Sequence, residues 1–545
     1  MFFALLLLYT LTLQTSLSSD CIPNAYLPLS VLKHGSISLG FFSELYARGR
    51  PYFLVPYGGG LHSIFGIGAP LFALPFYLPF LFRDSTPSFT TLIYVSKLAA
   101  SFYVSLSAAL LFAALRRLTT QRRALLITTV YALATPAFCT ASQALWQHGP
   151  SLFLLSLGIY LLVRGIERPR WSAWPALPLG ISVLVRTTNL VFLPPVIIYL
   201  GWKKRRELPW FLLLLLPGAL ATAFYNHAAY GSVFRFPLMA PKYLLPAGEF
   251  MAYNEYNGFW RTPFLTGFFG NLISPSRGLL AISPVLILAF LGPATLISKS
   301  FRKDRSYTEL ALCFFAAFLL QLLLVAKKTD WTGGSSFGNR LLIDTLPFLV
   351  FLILPAMEFV GEHARQAVRK CAWSIFILLF AVSFALQLEG IIPYDRGSWD
   401  LQGPIDRRAW DWHDSQVAFY LKHPEPVVPP LVREITGKAP GVADLEIGVL
   451  EGRPYLRFRM SEYAKIIWKV ISMQDAETEF SLPFYAAKGE NELLFAEEYF
   501  GENGREAMER LIRMLAMPCR HEFVVMDPLT GVENRHLLVT SAIPP

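Results

Sequence analysis

The sequence predicts an all-α polytopic membrane protein of about eleven transmembrane helices with a small α+β C-terminal soluble domain. Three observations predict it. Only 16% of the 545 residues are charged and 54% are hydrophobic, whereas soluble domains carry about 25% charged residues. The apolar residues, 44 Phe among them, gather in long uncharged runs separated by short basic clusters, the pattern of membrane helices and their loops. Beyond residue 388 the charge becomes ordinary and stretches such as YLRFRM at 455–460 alternate, as a strand with one buried face does.

Runs bounded by charges place spans at 1–17, 89–115, 124–141, 150–163, 172–188, 190–202, 209–226, 279–298, 308–326, 341–357 and 371–388. The first lacks a basic n-region and a small-residue cleavage site, so it reads as a retained helix rather than a signal peptide. It is short, and a start upstream of Met1 is compatible with that. The spans at 172–188 and 190–202 are joined at Arg186–Asn189 and read as a tilted helical pair. The membrane domain covers 1–388, with outer-face loops at 18–88 and 227–278; the soluble domain covers 389–545, with a helix at Glu502–Met514. Neither internal repeats nor low-complexity tracts are visible.

The formal net charge is +10, but its Lys and Arg residues sit at the ends of apolar runs. That pattern reports membrane orientation rather than a nucleic-acid surface. Five connections are basic: Arg116, Arg117, Arg122 and Arg123; Arg164, Arg168 and Arg170; Lys203 to Arg206; Lys299, Arg302, Lys303 and Arg305; and Arg365, Arg369 and Lys370. All five belong in the cytoplasm by the positive-inside rule. The segment His62–Phe82 is apolar and long enough to cross, yet a full crossing would invert every later loop. The charge rule therefore favours a re-entrant or interfacial segment. The alternative is that it crosses and a later run does not.

With five cysteines there is no CxxC pair and no zinc spacing. Cys139, Cys313 and Cys371 lie in or beside apolar runs. Cys21 and Cys519 lie outside them, and a disulfide between these two stays open if both face an oxidising compartment. Phosphate-loop, HExxH and dinucleotide motifs are absent. Gly334, Ser336 and Gly338 fit GxSxG, but between membrane spans there is no strand-turn-helix context for a nucleophile.

Polar residues collect on the outer side, including Asp20, Glu44, Arg48, His148, Arg186, Lys242, Glu249, Glu255, Arg277, Lys328, Asp330 and Arg340, with aromatics such as Tyr52, Trp146, Trp260 and Trp331 among them. The spans themselves read as nearly free of acids. An outer cavity with a carboxylate, several cations and aromatic walls suits a lipid-linked phosphorylated sugar. Cations hold phosphate, and a carboxylate serves as general base on an acceptor hydroxyl. Asp20 follows the first span directly and is the sharpest candidate. Its bland reading is a headgroup-region helix boundary. Arg186, Arg277 and Arg340 are candidate phosphate clamps, since Arg retained near the bilayer tends to mark function; each also suits snorkelling to lipid headgroups. Lys242 is a further candidate, and Trp331 with Gly333 and Gly334 would shape the pocket.

The order of these features resembles the GT-C superfamily of membrane glycosyltransferases, near the bacterial relatives of protein O-mannosyltransferases and the lipid A aminoarabinose transferases. An Asp follows the first helix. Then come a partly helical outer loop, the Gly/Pro-rich stretch YGGGLHSIFGIGAPLFALPFYLP at 57–79, RRLTTQRRALL at 116–126, RTTN at 186–189 and WTGGSSFGNRLL at 331–342. The resemblance covers roughly residues 1–390. It implies Asp20 as catalytic base, a polyprenyl-phosphate-linked sugar as donor, and a glycan, lipid or protein acceptor. It also implies the bacterial inner membrane, crossed several times, with an extracytoplasmic C-terminal domain. Family members often hold a second acid in the outer loop between the third and fourth spans. ALWQHGPS at 144–151 offers His148 there instead, which weakens the expectation of a metal held by two acids. Cofactor use is left unknown, with a divalent metal open; Glu44 is the candidate second acid, and His148 is a candidate for phosphate or metal. Two other readings stand beside the enzyme: a transporter or flippase of lipid-linked saccharides, which calls for inverted repeats and mid-span charges, and a non-catalytic membrane subunit.

Overall fold

The computed structural model describes residues 1–16, 18–46, 50–245, 260–297, 305–395, 397–473, 479–500, 504–527, 531–540 and 543. Arg48, Glu249, Glu255, Lys299, Arg302 and Lys303 lie outside these. The chain divides into two compact units, residues 1–391 with 406–417, and residues 392–405 with 418–545.

The first unit is helical. Among the described residues six helices are long and apolar enough to cross a membrane: Phe89–Leu115, His148–Glu167, Leu208–Tyr230, Tyr307–Ala326, Ile343–Gly361 and Gln366–Glu389. With the shorter apolar helices around them, they make this an integral, multi-pass membrane protein. Several expected spans are broken, each for a local reason. The first helix is only Phe2–Leu11, about 15 Å long. Beyond it, the buried Lys97 ammonium captures the Thr12 hydroxyl and the Gln14 carbonyl, and Leu13 turns to φ +51°. The run at 124–141 stops at Leu133, because Pro136 has no amide to donate, and a π turn follows over Ala137–Ala141. The run at 279–298 is divided at Ser283-Pro284 into Leu279–Ile282 and, after a 3-10 turn, Ile287–Ile297. Ala176–Val185 and Leu193–Lys203 form the expected pair, joined by a 3-10 turn at Thr187–Phe192.

The segment His62–Phe82 is no continuous helix. Strands β1 (Leu54–Tyr57) and β2 (Gly60–Ser63) form a hairpin whose turn residues Gly58 and Gly59 both have positive φ, as a two-residue hairpin turn requires. Helix Gly68–Tyr77 follows and tightens to a 3-10 turn at Leu78–Phe82. Within 227–278, read from sequence as loop, helix Phe264–Ile273 packs against Arg305–Ala326. A Cβ on Gly267 would fall 1.9 Å from the Ala326 carbonyl oxygen, so only glycine admits that approach.

The second unit is α+β. Strands β3 (Val442–Leu450), β4 (Arg453–Met460) and β7 (Gly489–Leu494) form an antiparallel sheet in the order β3-β4-β7. Strands β5 (Ala464–Ser472), β6 (Glu479–Ala486), β8 (Cys519–Met526) and β9 (Glu533–Thr540) form another in the order β6-β5-β8-β9. Strict alternation along β5 buries Ile466, Trp468 and Val470. Helix Gly504–Leu515 adds Leu511, Met514 and Leu515 to the same core as Leu456 and Phe458 of β4. All five cysteines are free thiols, Cys21 and Cys519 among them, and Cys371 is the exposed one.

Candidate functional site

A cavity of about 340 Å³ opens in the helical unit. Asp20 reaches it from the 3-10 turn Ser19–Cys21 that leads into helix Ile22–His34. Tyr52 donates its hydroxyl to Asp20 Oδ1 at 2.6 Å, and Arg340 forms an ion pair with Oδ2. Arg340 also lies over the Trp146 ring, 4.9 Å from its centroid. Burial works against the Arg340 charge, but the carboxylates of Asp20 and Asp330 outweigh it and hold its pKa above the ordinary arginine value.

The 331–340 loop is built to hold Arg340. Asp330 Oδ1 accepts from the Thr332 hydroxyl and the Gly334 amide, each at 3.1 Å. Gly333 and Gly334 then turn with φ +76° and +65°, and a Cβ on Gly333 would meet Arg340 Cγ at 3.1 Å. Ser336 sits in this loop with neither strand nor helix around it, so GxSxG is no nucleophile elbow. Lys328 pairs with Asp330 at 3.5 Å. Burial depresses the Lys328 pKa, against the opposing pull of Asp330. For Asp330 burial acts upward, but Lys328 and Arg340 outweigh it and lower its pKa.

On another wall stand His148, at the start of helix His148–Glu167, and Arg186, just past Ala176–Val185. Behind them lies Asp344, fully buried. Its Oδ2 is 3.0 Å from Arg186 Nη1 and 3.1 Å from His148 Nδ1. The cavity region thus holds three cation–carboxylate pairs: Arg340 with Asp20, Arg186 with Asp344, and Lys328 with Asp330. The rest of the lining is largely apolar, with Leu190, Val191, Leu238, Met239, Leu324 and Val325 among it.

Of the residues singled out in the sequence, the fold brings Asp20, His148, Arg186 and Arg340 together. The other four stand outside the cavity lining. Glu44 is exposed on the turn Ser43–Leu45, where it hydrogen-bonds Tyr26. Lys242 is exposed, its ammonium 6.0 Å from the Tyr243 ring. Arg277 is fully buried and donates to the Ser336 carbonyl and to Gln416 Oε1, bracing the loop from behind. Trp331 is buried against Gly270 and, at 5.9 Å between ring centroids, Trp410.

Sequence reasoning passed over Asp344 by reading the spans as nearly free of acids. The signal was there, since LLIDTLPFLVF at 341–351 sets one acid in an apolar run, and a carboxylate so placed demands a partner. Among the described residues no three His, Cys, Asp or Glu side chains gather as a metal site. Both oxygens of Asp20 are engaged by Tyr52 and Arg340. Among the described residues, the side chains around Asp20 do not form a protein-held divalent metal site.

Residues 85–225 match the family model of the dolichyl-phosphate-mannose-protein mannosyltransferases. No curated protein matches the chain in sequence. Among solved structures, the Archaeoglobus fulgidus oligosaccharyltransferase tethered to an acceptor peptide is 12% identical with TM-score 0.43. That likeness covers 71% of this chain, which spans 55% of the oligosaccharyltransferase chain. ArnT from Cupriavidus metallidurans, bound to undecaprenyl phosphate, is 13% identical with TM-score 0.39, over 77% of this chain and 74% of its own. At those values nothing about reaction or ligand follows from the two structures. Over residues 85–225, which take in two of the long apolar helices and most of a third, the chain is similar to that family of mannosyltransferases.

Proposed function

We propose that the protein transfers a sugar from a polyprenyl-phosphate donor to an acceptor hydroxyl on the outer face of the bacterial inner membrane, with inversion. The observation that carries this reading is the meeting of Asp20 with three cations in one largely apolar cavity. The apolar wall suits a prenyl chain, and the cations suit its phosphate. In the reaction Asp20 takes the acceptor proton, and the acceptor oxygen forms a bond to the anomeric carbon. The bond from that carbon to the phosphate oxygen breaks, and its electron pair leaves on the polyprenyl phosphate. Arg340, Arg186 and Lys328 stabilise the charge as it develops. The acceptor is a glycan, lipid or protein that presents a hydroxyl.

The five basic connections support cytoplasmic loops on the opposite side from Asp20. With the last long helix ending at Glu389, the same rule supports an outer-face C-terminal domain. Asp344 supplies one feature of a transporter, a carboxylate within an apolar run. Both of its partners line the same cavity as Asp20, however, so the transferase reading accounts for it. Purified protein is tested with a panel of polyprenyl-phosphate sugars, scoring loss of donor and appearance of glycosylated acceptor. Asp20→Asn should reduce transfer by about 10²–10⁴-fold, the usual worth of a general base, with expression and thermal unfolding unchanged. Near-normal turnover in that variant removes Asp20 from the reaction, and translocation of donor without its consumption favours a flippase.

A further inference from the structure

Asp20 is held at both of its oxygens. Arg340 pairs with Oδ2, and the Tyr52 hydroxyl donates to Oδ1 at 2.6 Å. A hydroxyl donating to an ionised carboxylate stands at about 2.5–2.7 Å, so this is a charge-assisted bond. The proposed reaction gives Arg340 a task at the phosphate and gives Tyr52 none. Tyr52 is half-buried and is not among the residues that line the cavity. The chain nevertheless builds a mount for its hydroxyl. Tyr52 stands in the turn that leads into β1, closed by the Leu54 amide on the Pro51 carbonyl at 3.1 Å. Just past β2, the Ile64 amide donates to the Phe53 carbonyl at 3.0 Å, which extends the hairpin pairing to the residue beside Tyr52. The Tyr52 ring meets Phe65 edge-on, with centroids 6.4 Å apart and planes at 90°. Phe65 is a cavity wall. Its amide donates to Ser63 Oγ at 3.0 Å, and its carbonyl accepts from the Gln147 side chain. The hairpin and Phe65 thus hold the ring, and the hydroxyl reaches Asp20 across 32 residues of sequence.

We propose that Tyr52 is a positioning residue for the Asp20 base: its hydroxyl on Oδ1, opposite Arg340 on Oδ2, fixes the plane of the carboxylate that takes the acceptor proton. This rests on the transferase reading above. The terminal torsion of an aspartate is broad, so a carboxylate held at one oxygen still swings. Held at both, it presents the acceptor hydroxyl with one orientation. Each carboxylate oxygen has two lone pairs, so neither bond closes the base to the acceptor. Misplacing a reacting group by about 1 Å costs about 10²-fold in rate. Tyr52 acts through Asp20, so losing its hydroxyl slows the chemical step and spares the binding of both substrates.

The test uses full-length protein with one polyprenyl-phosphate sugar that the wild type consumes and one hydroxyl acceptor. Tyr52→Phe removes the hydroxyl and keeps the ring against Phe65. It should lower kcat by about 10–100-fold. KM for donor and for acceptor should each stay within about twofold, because no binding contact is lost. In the Asp20→Asn background no base is left to position, so adding Tyr52→Phe should leave the residual transfer unchanged. A folding defect would lower transfer equally in both backgrounds, and that result overturns the proposal in favour of a structural tyrosine. A kcat at or above the wild-type value overturns it too, since Arg340 alone then orients the carboxylate. So does a raised KM with unchanged kcat, which makes the hydroxyl a substrate contact. Near-normal turnover in Asp20→Asn, or donor that is never consumed with any acceptor, instead defeats the transferase reading and this proposal with it.

Discussion

At the scale of the residue, the chemistry of the cavity depends on how its charges are paired. Arg340 pairs with Asp20 and stands over Trp146, and in the proposed reaction it also holds the donor phosphate. Lysine keeps the charge but loses the planar fork that bonds two partners at once. Arg340→Lys is expected to raise the apparent KM for donor about 10–100-fold with thermal unfolding little changed, measured by donor titration at saturating acceptor. An unchanged KM would remove Arg340 from donor binding. The Arg186–Asp344 pair differs, because Asp344 is fully buried. Removing one partner of a buried pair strands a charge and costs about 3–5 kcal/mol. Asp344→Asn and Arg186→Met should each lower thermal stability markedly, and the double variant should lose less than the sum. Strict additivity in that cycle would show the pair to be uncoupled.

At the scale of the element, β5 and β8 of the C-terminal unit carry a proton-sensitive contact. Trp468 Nε1 donates to His521 Nδ1 at 3.2 Å, and His521 Nε2 lies 2.8 Å from Thr540 Oγ1. His521 Nδ1 must be unprotonated to accept from Trp468, and burial pushes its pKa down from 6.5 to about 4. The unfolded chain binds this proton first, so folding stability rises with pH between about 4 and 6.5. The contribution is fully present above 6.5 and falls by up to about 3 kcal/mol as pH drops to 4. Hydrogen exchange in the full-length protein should show the β5 and β8 amides opening faster at pH 4.5 than at pH 7. His521→Gln should flatten that difference, and an unchanged pH profile in the variant would exclude the histidine as its cause. Among the helices, tight glycine contacts set the spacing. A Cβ on Gly218 would fall 2.3 Å from the Gly180 carbonyl carbon, so helices Leu208–Tyr230 and Ala176–Val185 touch backbone to backbone. That contact helps fix helix Ala176–Val185, whose end carries Arg186.

At the scale of the whole molecule, orientation is the property that most needs measurement. Cys371 lies in the second turn of the last long helix, Gln366–Glu389, beside the basic residues Arg365, Arg369 and Lys370, and it is the exposed thiol while the other four cysteines are buried. The proposed topology expects a membrane-impermeant maleimide to label Cys371 in inverted vesicles and to spare it in right-side-out ones. The opposite result would move Asp20 and the C-terminal domain to the cytoplasmic side. The sequence by itself determined the membrane class, because apolar runs of that length have no other stable environment. It also determined the α+β tail, whose alternation in β4 and amphipathic helix Gly504–Leu515 are written locally. Asp20 was legible from its place after the first apolar run. Only the tertiary structure decided what stands around it. Arg340 comes to Asp20 across 320 residues and Asp344 comes to His148 across 196, and no local pattern encodes such a meeting. The same packing removed Glu44, Lys242, Arg277 and Trp331 from the cavity lining. Helix periodicity and charge are properties of neighbours in the chain, whereas burial and pairing belong to neighbours in space.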